Sequence, residues 1–169
     1  KAGFFDPAST QVQHAGFGLV LGEDGKKFKT RSGTTVRLQD LLNEAIARAK
    51  AILVARDVNW SADEVEQAAR ILGIGAVKYA DLSTSRVSDY AFSFDRMLQF
   101  EGNTATFILY AYVRIQSIQA KVDLTLDDCD LTGMLYQHPS EIALGLHLAR
   151  FSDVVDKIKQ DHMPHSLTD

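Results

Sequence analysis

In the stretch GEDGKKFKTRSGTTVRL, residues 22–38, four basic side chains, Lys26, Lys27, Lys29 and Arg31, fall within six residues of a chain whose net charge is −4. Gly22, Gly25 and Gly33 bracket them, and Thr30 and Ser32 add hydroxyls. Positive charge, hydroxyl donors and a backbone that can approach closely are what a phosphate site requires. No G-x-x-x-x-G-K-[ST] loop occurs, so this is not a P-loop. Gly73 and Gly75 follow no strand and lack the third glycine of a dinucleotide fingerprint. On composition alone, the charge run reads first as a solvated basic hairpin turn.

The other chemistry-bearing groups are weaker. Asp127, Asp128 and Asp130 lack the glycine and glutamate spacing of a calcium loop. His162 and His165 have metal-like spacing but no Cys or Glu partner, so no protein metal site is expected. Cys129 sits among aspartates, which disfavour a thiolate, and is not read as a nucleophile. A single cysteine makes no internal disulfide and fits a reducing compartment.

The elements that must position the basic loop can be read from periodicity. GFGLVLG, residues 16–22, reads as a short buried strand, and Asp24-Gly25 as the turn after it. Leu38, Leu41, Leu42, Ala45, Ile46, Ala49, Ile52 and Leu53 form one apolar stripe, predicting a helix over 38–56. Ser61 and Glu64 are spaced as a capping box. The helix they open is expected to stop near Gly73, with a further short helix after it. SDYAFSFD, residues 88–95, alternates aromatic and polar residues and reads as extended or as an irregular arm. A helix capped by Asn103 or Thr104 follows, with Phe107, Ile108, Ala111, Ile115 and Ile118 as its apolar positions. After an acidic linker, one long helix is expected from about Ser140, carrying Ile142, Leu146, Ala149, Val154 and Ile158. Pro164 reads as the first position of another helix.

Length and composition bound the function. With 169 residues and 46% hydrophobic content the chain can bury a core. No apolar run approaches the roughly 18 residues of a membrane span. Mild acidity argues against a bulk polyanion binder, so any nucleic-acid contact is local. No signal-peptide pattern opens the chain, and a cytoplasmic location is expected. Lys1 at one end and HMPHSLTD at the other read as cuts, so the chain is expected to be a piece of a longer protein.

Several stretches add what composition cannot. HAGFGLVLGEDGKKFKTRSGTTVRLQDLL, then GAVKYADLS, SDYAFSFDRML and EGNTATFILYAYVRIQSI occur in that order between residues 14 and 118. Together they resemble arginyl-tRNA synthetase of bacterial type, a class I aminoacyl-tRNA synthetase. The resemblance implies the α/β end of a Rossmann-like catalytic domain followed by a mainly helical bundle, the piece as a whole being mostly α. The implied divisions are 1–37 for the end of the catalytic domain, 38–100 for a connecting helical region, and 101–169 for a truncated anticodon-binding domain. It implies an enzyme that activates arginine with ATP and Mg2+, the metal held mainly by ATP, and passes it to tRNA(Arg).

Residues 27–33, KFKTRSG, stand where class I enzymes carry a K-M-S-K-S signature. By that resemblance Lys29 and Arg31 are the candidate catalytic cations, with Lys27, Phe28, Thr30 and Ser32 binding ATP beside them. Gly16, Phe17 and Gly18 fall at the adenine, their backbone N–H and C=O groups beside the base, with His14 placed to stack or donate there. For His14 a plain strand-end histidine is an equal reading. Phe107, Tyr110 and Arg114, a turn apart, fall on the anticodon-binding surface; on the sequence alone the aromatics also read as core. Asp81, Ser83 and Arg86 are expected to orient the joint between the two parts. The HIGH-type motif and the arginine pocket are implied upstream, so this piece alone is expected to be inactive, and a monomer is expected. A non-catalytic RNA-binding module and a plain helical interaction bundle are the alternatives.

Overall fold

The computed structural model describes residues 6, 8–22, 24–26, 37–56, 59–122, 131–133 and 135–168. Strand β1 is Val20–Leu21 and helix α1 is Leu38–Ala55. Helix α2 is Ala62–Leu82, and β2 is Tyr90–Ala91. Four helices follow: α3 (Phe94–Met97), α4 (Ala105–Val122), α5 (Pro139–Ala149) and α6 (Phe151–Asp161). A 3-10 turn over Pro164–Leu167 comes after them.

α1 forms where the stripe predicts it, although Leu38 is exposed and takes no part in packing. α2 opens on the expected capping box. The Ser61 hydroxyl accepts from the Glu64 N–H at 3.3 Å, and the Glu64 carboxylate accepts from the Ser61 N–H at 2.8 Å. The Ser61 N–H, and then the Ser61 hydroxyl donating to the same carboxylate at 2.8 Å, hold the Glu64 carboxyl below its ordinary pKa. Gly73 faces Ala45 and Ile46, and Lys50 pairs with Glu66 at 2.7 Å, so α1 and α2 run antiparallel.

Their seam is built from small residues. Ala45, Ala49, Ala69 and Ala76 are buried, with Leu53, Val65 and Val77 beside them. Phe92, Met97 and Leu98 close the core from the far side of β2. Phe92 and Phe94 meet edge to face at 4.8 Å, and the Arg48 guanidinium lies 4.8 Å above the Phe94 ring while bridging Glu44 and Asp95. β1 and β2 pair in parallel, Val20 opposite Tyr90 and Leu21 opposite Ala91, with α1 and α2 as the crossover between them.

Four expectations need correction. α2 does not stop near Gly73 but runs unbroken to Leu82. The glycine serves helix contact: a Cβ there would lie 2.7–2.8 Å from the Ala45 and Ile46 backbone. The strand at 16–22 shrinks to two residues and is not buried, Leu19 and Val20 being exposed, because β2 is its one partner and no layer of described residues covers it. The long helix expected from Ser140 is two, opened by Pro139 and broken at Arg150, which caps the end of α5 and the start of α6. The α4 stripe is not buried: Ala105 and Thr106 at the helix start are covered, whereas Phe107, Ile108, Ile115 and Ile118 are exposed.

Gly73 and Gly75 separate two effects that share one substitution. Adding a methyl in a helix gains about 0.5–1 kcal/mol in backbone entropy. At Gly75 nothing lies within 4 Å of the new Cβ, so Gly75→Ala is expected to raise stability by that amount. At Gly73 the methyl meets rigid backbone, and overpacking of this kind costs roughly 1–3 kcal/mol. Gly73→Ala is therefore expected to lower the urea midpoint while Gly75→Ala raises it. Equal gains for both would contradict the close crossing.

Candidate functional site

The segment before β1 is held by the loop after α2. Gly18 lies so close to that loop that a Cβ would fall 2.1 Å from the Ser88 carbonyl oxygen; no other residue fits without moving backbone. Its N–H donates to the Arg86 carbonyl at 2.7 Å. The Leu19 N–H donates to the Asp89 carboxylate at 2.7 Å, and the Leu19 and Leu21 carbonyls accept from Tyr90 and Phe92. The Arg86 guanidinium donates through Nη1 to the Gly16 carbonyl and through Nε to the His162 carbonyl at 3.2 Å.

Of the groups expected beside adenine, the Gly16 C=O and the Gly18 N–H are thus already bonded to Arg86. The Phe17 N–H and C=O have no partner among the described residues, and its ring is 83% exposed. His14 is exposed, its Cε1 3.8 Å from where a Gly16 Cβ would lie. Gly16 and Gly18 shape this surface, and Phe17 and His14 face outward from it.

The turn that launches the basic loop is present. Gly25 has φ +69°, its N–H donates to the Gly22 carbonyl at 2.9 Å, and the Gly22 N–H donates to the Lys26 carbonyl at 2.8 Å. The Asp24 carboxylate accepts from the Lys26 N–H at 3.1 Å and lies 3.9 Å from its ammonium. Lys27, Phe28, Lys29, Thr30, Arg31 and Ser32 lie outside the described residues, as do Asp127, Asp128, Cys129 and Asp130.

Of the two caps offered for α4, Thr104 is used: its hydroxyl accepts from the Phe107 N–H at 3.2 Å and donates to the Gln99 carbonyl at 2.7 Å. Asn103 instead accepts from the Tyr79 hydroxyl and donates to the Thr168 carbonyl at 3.1 Å. Phe107, Tyr110 and Arg114 share one face of α4, and Tyr110 is 51% exposed. Arg114 Nη1 donates to the Tyr110 hydroxyl at 3.1 Å, so ring and guanidinium form one presented unit. In this chain Tyr110 is half exposed rather than buried. Among the described residues no three His, Cys, Asp or Glu cluster as metal ligands, and no helix is long and apolar enough to cross a membrane.

A cleft of about 520 Å³ separates α2 from β2, α3 and the start of α4, with Tyr79, Thr84, Tyr90, Arg96 and Asn103 on its walls. Tyr90 donates to the Asp81 carboxylate at 3.1 Å. Burial, then the Asp81 charge and that bond, push its phenol up to about 12. Sequence reasoning assigned Asp81 to the joint but missed Tyr90 as its partner; the nine-residue separation across a turn carries no signal.

Residues 1–94 match the family model described as tRNA synthetases class I (R), catalytic domain. The chain belongs to that family. Residues 108–169 match the DALR anticodon-binding domain, so the class I synthetase segment passes into a helical domain beginning within α4. The arginine–tRNA ligase of Chlamydia caviae is 52% identical over 163 residues, 96% of this chain, and that of Nostoc punctiforme 47% identical over 171 residues. A relative in Arabidopsis thaliana, named as chloroplastic/mitochondrial, is 48% identical. The chain spans about 29% of the length of the bacterial relatives. Among solved structures, arginyl-tRNA synthetase of Plasmodium falciparum superposes with a TM-score of 0.73 at 34% identity, covering 92% of this chain and 25% of that one. The Thermus thermophilus arginyl-tRNA synthetase gives 0.73 at 30% identity over 90% of this chain. The mostly helical class I fold therefore agrees with the architecture expected from sequence.

Within this synthetase segment, Tyr90 ties α2 to β2 through a proton. Because its folded pKa lies above the ordinary value of 10, the unfolded chain releases the proton first as pH rises. The stabilisation is therefore complete below about pH 10 and falls between pH 10 and 12. The stability difference between the native protein and Tyr90→Phe, measured by urea unfolding, is expected to hold steady to pH 9.5 and shrink above pH 10. A difference that stays flat through pH 12 would mean the phenol is not held in its protonated form.

Proposed function

We propose that the protein is part of an arginine–tRNA ligase. The full enzyme joins the arginine carboxylate to the α-phosphorus of ATP, releases pyrophosphate, and passes the arginyl group to the terminal adenosine of tRNA(Arg), with AMP leaving. The observation that carries this reading is the 52% identity to an arginine–tRNA ligase over 96% of the chain, with matches to the catalytic and anticodon-binding families in the expected order.

On this reading residues 1–37 end the catalytic domain, 38–100 connect, and 101–169 belong to the anticodon-binding domain. Lys29 and Arg31 place positive charge where pyrophosphate departs. Lys27, Phe28, Thr30 and Ser32 line the same loop, and Mg2+ travels with ATP. Charge builds on the leaving group in the transition state, so these cations favour that state over bound ATP. Phe17 supplies the backbone donor and acceptor for adenine, beside His14, with Gly16 and Gly18 permitting the close approach. Arginine enters a pocket outside this segment. The enzyme works as a monomer in the cytoplasm.

Phe107, Tyr110 and Arg114 form the tRNA-facing surface of α4. An exposed ring braced by a guanidinium is suited to an unstacked anticodon-loop base, with the cation left to meet phosphate. In the full-length enzyme, Tyr110→Ala is expected to weaken tRNA binding by about 1–3 kcal/mol. Its thermal stability should change little, because a half-exposed ring leaves no closed cavity. Filter binding at a temperature where the variant is folded, after a thermal melt, checks both. Early unfolding with normal tRNA affinity would remove Tyr110 from this surface.

A further inference from the structure

Arg86 stands in the loop between α2 and β2 with no carboxylate partner among the described residues, and its guanidinium is spent on two main-chain carbonyls. One is Gly16, 70 residues earlier, and the other His162, 76 residues later. Its own carbonyl takes the Gly18 N–H. Phe17 therefore lies between two peptide groups gripped by one residue.

A peptide group is planar and trans, so its C=O and N–H point in opposite directions. Fixing the Gly16 C=O fixes the Phe17 N–H, which belongs to the same peptide plane. Fixing the Gly18 N–H fixes the Phe17 C=O in the same way. Both Phe17 groups are thereby turned away from Arg86, giving one donor and one acceptor on adjacent peptides. That pair complements a ring edge carrying an acceptor nitrogen beside an amino group, as the adenine edge does.

The second grip reaches the other end of the molecule. His162 caps α6 in the left-handed conformation, φ 56°, its N–H bonded to the Ile158 carbonyl at 2.8 Å. The segment it begins is moored again at Thr168, whose carbonyl accepts from Asn103. A guanidinium holds two acceptors in a fixed plane, which a lysine ammonium does not. We propose that Arg86 is a positioning residue that orients the Phe17 peptides toward adenine and locks them to the end of α6, joining the nucleotide site to the helical domain through one side chain. This rests on the ligase reading for what Phe17 contacts; the clamp itself rests on the geometry.

The test uses the full-length enzyme with Arg86→Ala and, keeping charge and stem, Arg86→Lys. In aminoacylation assays corrected for folded fraction, both are expected to raise the KM for ATP about tenfold, the effect of losing one charge-assisted hydrogen bond's organisation. The KM for arginine and kcat should stay within about twofold, since neither depends on the adenine edge. Amide hydrogen exchange should quicken together in residues 16–22 and 161–168 of both variants, while 45–53 stays protected. A merely structural role would lower the folded fraction and leave the KM for ATP where it was. Full rescue by lysine, an unchanged KM for ATP, or loosening of only one of the two segments would overturn the proposal. If the native enzyme attaches no arginine to tRNA, the ligase reading fails, and the exchange experiment still decides whether Arg86 clamps the two segments.

Discussion

The close crossing of α1 and α2 is the constraint on which the other elements depend. Gly73 against Ala45 and Ile46, with alanines along the rest of the seam, lets two helix backbones meet without an intervening side chain. Dispersion falls steeply with separation, so a seam of small residues gains its attraction only at this distance. The geometry fixes the far end of α2. That end carries Tyr79 and Asp81, and the loop beyond it carries Arg86, Ser88 and Asp89. Leu19 just before β1, the surface at Phe17 and the start of α4 are each bonded to one of those groups. The backbone at Phe17 and the start of α4 are thus both referenced to one helix pair.

Much of that arrangement is legible in the sequence where local chemistry decides it. α1 announces itself through its stripe, α2 through the Ser61–Glu64 box, and α4 through a threonine that needs an N–H partner. The errors arise where a residue's meaning is set by a distant neighbour. Gly73 reads as a stop because glycine disfavours helices, yet its lack of a side chain is what the α1 contact demands. The break at Arg150 carries no glycine or proline, and its dihedrals, φ −85° and ψ −2°, lie near helical values. Periodicity across it therefore looks continuous.

The candidate site divides along the same line. The basic composition of residues 26–31 and the aromatic–arginine spacing on α4 are visible without coordinates. The exposure of Tyr110 is not, because an amphipathic pattern marks an apolar face without telling what covers it. Nor is the commitment of the Gly16 and Gly18 backbones to Arg86, since main-chain bonds leave no trace in side-chain identity. Gly18 itself is visible, but that a glycine is needed there is explained only by the close approach of the Ser88 carbonyl.

The most direct measurement is an aminoacylation assay of the full-length protein with total tRNA, ATP and Mg2+, offering each standard amino acid separately. The account predicts that arginine alone becomes ester-linked to tRNA, and only when ATP is present. A folded full-length protein that binds tRNA but attaches no arginine, or attaches a different amino acid, would contradict it.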